Sequence, residues 1–216
     1  MQLLKKELSN RIIIGIIYAS IFLFTSQSKE ILFLITLLSF FLIISLLEYY
    51  NIINKKKNIL LDFFVPIVYI LIPLICLFLI KFQYEENFLT FLLIIIWISD
   101  ASAFFLGKLF GKTKLTNVSP NKTIEGLIGS LFICVLIGPF LTSYLNITFN
   151  INIYLLSFII SLSGNFGDYI ESSLKRKFNK KDSGTILMSH GGILDRIDSL
   201  LISGPIFYCI LKQTIN

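Results

Sequence analysis

Histidine and cysteine are scarce in this chain of 216 residues, which has one histidine and three cysteines. Cys76, Cys134 and Cys209 each lie inside an apolar block, and none belongs to a Cys-x-x-Cys pair. Zinc sites need clustered cysteine and histidine, and disulfide frameworks need regularly spaced cysteines. The sequence therefore predicts neither kind of site, and we expect the three cysteines to be core residues.

Charged residues are also few, at 15% of the chain, while 55% of the residues are hydrophobic and the mean hydropathy is +0.81. A soluble domain of this length could not bury so much apolar surface in one core, so the composition indicates an integral membrane protein. The net charge of +6 raises the question of nucleic acid, but aromatic residues interleaved with cations are lacking outside the apolar blocks. We expect no nucleic-acid partner, and an anionic lipid or a nucleotide instead.

The apolar residues form seven blocks, of which the first and the last are short for a bilayer that needs roughly 20 apolar residues. Helices are the open-ended structures that satisfy their own backbone in lipid. We therefore predict an all-α, polytopic bundle of about seven transmembrane helices, with six or eight as alternatives, and a single membrane domain over 1–216. The blocks are 12–24, 31–47, 59–80, 88–106, 123–145, 151–167 and 199–211.

Cations are distributed unevenly between the two sides that seven spans would define. With the N-terminus inside, 16 of the 19 cations fall on the inner side, and only Lys29, Lys81 and Lys212 fall outside. The positive-inside rule then predicts a multi-pass protein of the cell (inner) membrane, with its N-terminus and its polar loops in the cytoplasm.

Three acidic residues lie within or beside the predicted spans. Glu48 and Asp62 are near span ends, where we expect solvated or snorkelling side chains, and we leave both out of the candidate site. Asp100 directly follows the apolar run FLLIIIWIS and lies near membrane depth. Ionisable groups at that depth usually face a partner or an aqueous cavity, so Asp100 is a candidate site residue. Pro66 and Pro73 predict a kink in the third span.

The densest polar segment is 164–198. Asp168 and Glu171 are three residues apart, as are Asp195 and Asp198, so that on helices each pair would project from one face and could hold a divalent cation. Lys175 falls on the same side as the first pair. Between the pairs lie cations and glycines that suit a polyphosphate, and of the cations Lys177 and Lys180 are expected to face anionic lipid at the surface. This set is Lys175, Arg176, Lys177, Lys180, Lys181, Gly184, Gly191 and Gly192.

A second polar loop, 107–126, has cations spaced by glycines and then the run SPNKTIEG. Ser119-Pro120 precedes Lys122-Thr123, and Glu125 falls in the first turn of the fifth span. The pattern is that of a phosphate-facing loop before a helix N-terminus, and also that of an ordinary turn and helix start. The loop becomes a candidate for the site together with 164–198.

These residues resemble the signature of phosphatidate cytidylyltransferases, also called CDP-diacylglycerol synthases. The resemblance extends to Asp100 with its GKLFGK tail, to SPNKTIEG at 119–126, to GDYIES at 167–172, and more loosely to Glu48. Departures from the usual pattern are Met188, Asn121, Ile124 and Phe104. The signature positions are Ser172, Leu174, Lys175, Arg176, Lys181, Asp182, Gly184, Leu187, His190, Gly191, Gly192, Asp195, Arg196 and Asp198.

The resemblance implies transfer of CMP from CTP to phosphatidate, with Mg²⁺ or another divalent cation, two ions in number, and with the question of an added monovalent cation open. It assigns catalysis to Asp168, Asp195, Lys175, Arg176 and Arg196, and metal binding to Asp168, Glu171, Asp195 and Asp198. The catalytic region is built from 100–126 and 164–198. Substrate contacts are expected from Asp100, Ser119, Lys122, Thr123, Glu125, Ser172, Lys181, Asp182, His190, Gly191 and Gly192. CTP, phosphatidate and the bilayer are the partners, and a homodimer is compatible with the Phe-rich spans.

Three other functions remain to be weighed against this one. A related CTP-dependent transferase acting on another membrane lipid phosphate would keep a similar charged segment. A CDP-alcohol phosphotransferase would need an Asp-Gly-x-x-Ala-Arg run, which the chain lacks. A small cation transporter would use Asp100 and the charged loop as an ion path, but it predicts repeated halves, and we find no convincing internal repeat.

Overall fold

The computed structural model describes residues 15, 17–53, 58, 60, 64–116, 118–180, 182–184 and 192–214. Within these residues the chain forms seven helices and no strand, apart from one isolated antiparallel bridge between Lys114 and Thr123. The helices are α1 at 17–27, α2 at Ile31–Ile53, α3 at Ile67–Gln83, α4 at Glu86–Phe110, α5 at Ile124–Leu145, α6 at Ile153–Lys177 and α7 at Leu194–Thr214.

The predicted all-α membrane architecture is confirmed. Each of the seven predicted apolar blocks corresponds to one of the helices. In the described part of the chain, four helices are long and apolar enough to cross a bilayer, namely α2, α4, α5 and α6. The apolar helix α3 is shorter, and α7 has 21 residues but begins with a charged turn. The block predicted at 199–211 therefore lies inside a helix that starts earlier, at Leu194.

Helix α4 occupies the centre of the bundle, where it contacts α3, α5, α6 and α7. Its N-terminal half is enclosed on all sides, as expected for a helix that is apolar around its whole circumference. The residues without any solvent exposure there are Leu89, Phe91, Leu92, Leu93 and Ile95. Asp100, further along the same helix, is exposed and lines the cavities described below together with the polar residues of the neighbouring helices.

The third helix starts with a π-helical segment, Ile67–Leu71, that lies between Pro66 and Pro73. Proline lacks the N–H for an i→i−4 bond, so the backbone between the two prolines adopts a wider turn. The irregularity predicted for this helix is confirmed.

The cysteine prediction was right for Cys76 and Cys134, which are buried, and wrong for Cys209, which is exposed because α7 presents this face outward.

Hydrogen bonds show that the connections alternate between the two ends of the bundle. At one end the Lys81 ammonium donates to the backbone carbonyls of Thr25, Ser26 and Ser28, which close the C-terminus of α1. At the same end the amide of Asn87 donates to the Leu145 carbonyl at 2.8 Å. The described residues of the other two connections, 111–116, 118–123, 178–180, 182–184 and 192–193, lie at the opposite end, and the polar residues of the candidate site lie with them.

At Gly167 the backbone of helix α6 lies directly against the backbone of helix α7. A Cβ atom at this position would lie 2.4 Å from the carbonyl oxygen of Asp198. Small residues allow such close helix approach inside membranes, where packing rather than water exclusion holds helices together. The spacing between α6 and α7, and with it the distance between their acidic residues, depends on this glycine.

Replacing Gly167 by alanine is therefore expected to destabilise the protein by about 1–3 kcal/mol, the usual cost of overpacking. The backbone carbonyl that the methyl group meets cannot rotate away. Thermal unfolding in detergent measures the effect. Gly164→Ala, one turn earlier on the same helix, is the matched control, because its Cβ would lie at ordinary contact, 3.6 Å from the Cβ of Ser199. Equal unfolding midpoints for the two variants would contradict the close approach.

Candidate active site at the polar end of the bundle

Helices α4, α6 and α7 bring the charged residues predicted from the sequence to one cavity of about 690 Å³. We call it the acidic cavity. Its opposite wall is apolar and comes mainly from α1 and α2, through Ile17, Ile21, Leu37, Phe40 and Phe41. The charged residues that line it are Asp100, Asp168, Glu171, Lys175, Asp195, Arg196 and Asp198.

Lys175 lies at the centre of the charged cluster. Its ammonium forms ion pairs with Glu171, one turn earlier on α6, and with Asp195 on α7. Glu171 has no solvent exposure and Lys175 is 8% exposed, so the bridge is buried. The sequence placed Lys175 on the same helix face as Glu171, and the structure confirms that placement. Its contact with Asp195 joins the two acidic pairs through a single cation.

Asp195 is surrounded by donors. One carboxylate oxygen pairs with Lys175, and the other accepts hydrogen bonds from the backbone N–H groups of Ser183 at 3.1 Å and Gly192 at 2.8 Å. The residue lies in the first turn of α7, ahead of the apolar block. Burial alone would raise the pKa of Asp195, but the Lys175 ammonium and the Gly192 N–H, which bind the ionised form, hold that pKa below its usual value, at about 2. Asp195 is therefore ionised at physiological pH.

Asp198 follows one turn later on α7 and is 7% exposed. One of its oxygens accepts from the Ser199 N–H at 2.7 Å. Among the described residues, no cation forms an ion pair with Asp198 or with Asp100. The acidic cavity thus has five carboxyl groups against two cations, and carboxylate oxygens are ligands that divalent cations such as Mg²⁺ prefer.

A smaller cavity of about 270 Å³ adjoins the acidic cavity and shares Asp100 and Asp168 with it. We call it the loop cavity, because the loop 115–123 forms much of its lining. Asp168 forms an ion pair there with Lys122. The remaining polar lining comes from Ser119, Asn121, Thr123 and Asn165. Two spaces of different character therefore meet at the same two carboxylates.

Comparison with known sequences shows the family to which the chain belongs. A sequence profile of the cytidylyltransferase family matches residues 4–214. The chain belongs to this family. Phosphatidate cytidylyltransferases of Staphylococcus aureus (strain COL) and Staphylococcus haemolyticus (strain JCSC1435) are both 46% identical to it, over 132 and 131 residues. That of Staphylococcus epidermidis is 42% identical over 130 residues. Each alignment covers 59% of this chain and 50% of the relative. The chain thus spans about half the length of the relatives that it matches.

Several residues predicted for the site hold the loop and the start of α5 in place, and of these Thr123 also lines the loop cavity. Thr123 caps α5 by accepting from the Gly126 N–H at 3.1 Å. Glu125 accepts from the Thr113 N–H at 3.1 Å, which ties the loop to the first turn of α5. The Arg176 side chain donates to the carbonyls of Val118 and Lys180. These contacts hold the two polar loops beside each other.

The other predicted residues either line neither cavity or lie outside the part of the chain that the structure describes. Ser172 is half-buried and Asp182 is exposed, and neither is part of the lining of the two cavities. The N–H of Gly192 is bonded to Asp195, as described above. The predicted positions Lys181, His190 and Gly191 lie outside the described residues, as does Asp62. Lys177 and Lys180 are exposed, as predicted for surface cations.

Sequence reasoning missed Glu48. The prediction of a solvated or snorkelling side chain is wrong, since Glu48 is 1% exposed. Its carboxylate accepts from the N–H groups of Ile193 at 3.0 Å and Leu194 at 2.8 Å, at the start of α7. A hydropathy pattern indicates only that Glu48 is near the end of a predicted span. The resemblance to the family, which extends loosely to this position, was the signal that could have included it.

The donor chemistry of the acidic cavity fits a divalent cation, although within the described residues no three acidic, histidine or cysteine side chains converge closely enough to hold one alone. Mg²⁺ is commonly bound by one or two carboxylates together with water and substrate phosphates. Asp168 and Asp198 suit that mode, because Asp168 lines both cavities and Asp198 is buried beside it without a cation partner among the described residues. Glu171 and Asp195 are joined through Lys175.

Proposed function

We propose that this chain transfers CMP from CTP to phosphatidate, giving CDP-diacylglycerol and pyrophosphate. The observation that carries the proposal is the meeting of two cavities at Asp100 and Asp168, one with an apolar wall and one lined by a polar loop. A lipid phosphate and a nucleotide polyphosphate need such a pair of spaces around shared charges. The relatives described above are phosphatidate cytidylyltransferases, which supports the same choice of substrates.

The reaction joins two anions. An oxygen of the lipid phosphate attacks the α-phosphorus of CTP, the bond from that phosphorus to the bridging oxygen breaks, and pyrophosphate leaves with the electron pair. Phosphatidate is already ionised near neutral pH, so little proton transfer is required of the protein. The main task is to neutralise and align the reactants, which positioned charges do best in a site with little water.

The cations at the two cavities suit that task. Arg196 lines the acidic cavity, and Lys122 lines the loop cavity next to Asp168. We assign Arg196 to the lipid phosphate and Lys122 to the triphosphate. Lys175 acts differently, because its ammonium already bridges two carboxylates and keeps α6 and α7 in register.

We further propose Mg²⁺ as the cofactor, held by Asp168 and Asp198, with Glu171 and Asp195 orienting them. The bound ion would supply a Lewis acid that withdraws charge from the reacting phosphates. The acyl chains of the lipid fit the apolar wall between α1 and α2. We place this end of the bundle at the cytoplasmic face of the cell membrane, where CTP is present, as the excess of cations there favours.

Incubation of the purified protein with α-labelled CTP, phosphatidate and Mg²⁺ is expected to give labelled lipid that extracts into organic solvent. EDTA should abolish the labelling. A parallel incubation with a polyprenyl phosphate tests the related transferase. Label only in the polyprenyl product would replace phosphatidate by that acceptor, and folded protein that binds no CTP would overturn the transferase proposal.

A further inference from the structure

Glu48 is a buried carboxylate far from the acidic residues in the sequence, yet it contacts both ends of the segment that joins α6 to α7. At the near end, Ser183 Oγ donates to it at 3.2 Å. At the far end, the N–H groups of Ile193 and Leu194 donate to it. Three donors thus converge on one side chain that projects from α2.

The lack of a side chain at two glycines makes room for this carboxylate. A Cβ at Gly184 would lie 2.6 Å from Glu48 Oε1, and a Cβ at Gly192 would lie 2.3 Å from Glu48 Oε2. Both distances are too short for any side chain. The nearest atoms to a Cβ at Gly184 all belong to Glu48. These signature glycines therefore make room for a carboxylate of the protein itself, besides any backbone contact that they make with a substrate.

A second carboxylate binds the same two turns. Asp195 accepts from the N–H groups of Ser183 and Gly192, while Glu48 accepts from Ser183 Oγ and from the next two N–H groups, those of Ile193 and Leu194. A negative group at a helix N-terminus also interacts favourably with the helix dipole. The first turn of α7 is thereby held from two sides, by α2 and by its own aspartate.

We propose that Glu48 is a positioning residue, which fixes the first turn of α7 so that Asp195 and Asp198 face the acidic cavity in the reactive arrangement. Its kinetic consequence rests on the proposed function, whereas its structural consequence does not. Groups that orient the residues of a metal or phosphate site typically contribute about 10–100-fold in activity without touching substrate.

The test compares Glu48→Gln and Glu48→Ala with Glu30→Gln, a control that removes an exposed carboxylate just before the other end of α2. Hydrogen exchange of peptides covering 192–198 reports directly on the N–H groups that donate hydrogen bonds to Glu48. Steady-state transfer of label from CTP to phosphatidate, normalised to folded protein, gives kcat and KM separately.

We expect faster exchange at 192–198 and a fall in kcat of about 10–100-fold, with a smaller change in KM for CTP. Alanine should have the larger effect, since glutamine keeps one acceptor oxygen within reach. The Glu30→Gln variant should match the wild type. Unchanged exchange in both Glu48 variants would overturn the proposal. Faster exchange with unchanged kcat would show a merely structural cap and would also overturn it.

Gly184→Ala provides an independent arm. The added methyl group would push the Glu48 carboxylate away from its donors, so exchange and kcat should change as in Glu48→Gln. In the Glu48→Ala background the same substitution should cause no further loss, and additive losses would count against the proposal. If the wild type transfers no label to phosphatidate, the proposed function fails, and the exchange measurements alone then decide whether Glu48 holds this turn.

Discussion

Replacing Lys175 by methionine is expected to lower the free energy of unfolding by about 3–5 kcal/mol, the usual cost of removing one partner from a buried ion pair. The substitution leaves the carboxylates of Glu171 and Asp195 facing each other in a buried site without their cation. Methionine is similar in length to the lysine stem, so lost packing adds little. Denaturation of the detergent-solubilised protein, followed by circular dichroism, measures the change.

The double variant Lys175→Met/Glu171→Gln separates charge from shape. Neutralising Glu171 as well should recover part of the lost stability, because one uncompensated charge is removed with the cation. Lys177→Met serves as the surface control, since Lys177 is exposed and its substitution should change the unfolding free energy by less than about 0.5 kcal/mol. Equal destabilisation by the Lys175 and Lys177 variants would contradict the buried bridge.

Asp168→Asn is expected to reduce kcat by about 10²–10³-fold, because it weakens the hold on the proposed cation, whose charge stabilises the anionic transition state. Asparagine keeps the volume of the side chain but loses the charge at the junction of the two cavities. Lys122, which pairs with Asp168, also loses its partner. The label-transfer assay measures kcat, and Mn²⁺ titration followed by electron paramagnetic resonance measures cation binding without any turnover.

The two readouts distinguish the roles of Asp168. Loss of both activity and Mn²⁺ affinity is the expected result for a metal ligand. Loss of activity with unchanged Mn²⁺ binding would move the metal to other carboxylates and leave Asp168 as the group that positions Lys122. Glu85→Gln, an exposed substitution at the opposite end of the bundle, should change neither quantity.

The helices could be predicted from the sequence because apolar blocks of bilayer length have one structural solution in lipid. The start of α7 could not. Its first turn contains Asp195, Arg196 and Asp198, which hydropathy assigns to a loop. The turn is nevertheless helical and largely buried, because Lys175 and backbone N–H groups satisfy the carboxylate of Asp195. The residue at which α7 begins depends on partners from another helix, and a local hydropathy pattern contains no information about them.

Within the candidate site, helical periodicity correctly placed Lys175 beside Glu171, four residues earlier. The contacts of Glu48 lie 135 to 146 residues away along the chain, which no periodicity can link. The position of Asp100 at membrane depth made it a candidate, and the resemblance to a family added distant positions such as Ser172, but neither says which residue contacts which. The structure adds that Thr123, Glu125 and Arg176 hold the loops together.

Lys81, at the far end of the bundle, is a cation whose polar contacts are all made with the protein itself. It is 9% exposed, and its ammonium donates to three backbone carbonyls at the end of α1. Each of the three ammonium hydrogens therefore has an acceptor in the chain, and none is left for a lipid headgroup. The positive charge itself remains, and at the C-terminus of a helix it interacts favourably with the helix dipole. Lys81 thus serves as a C-terminal cap for α1 that is supplied by a different helix.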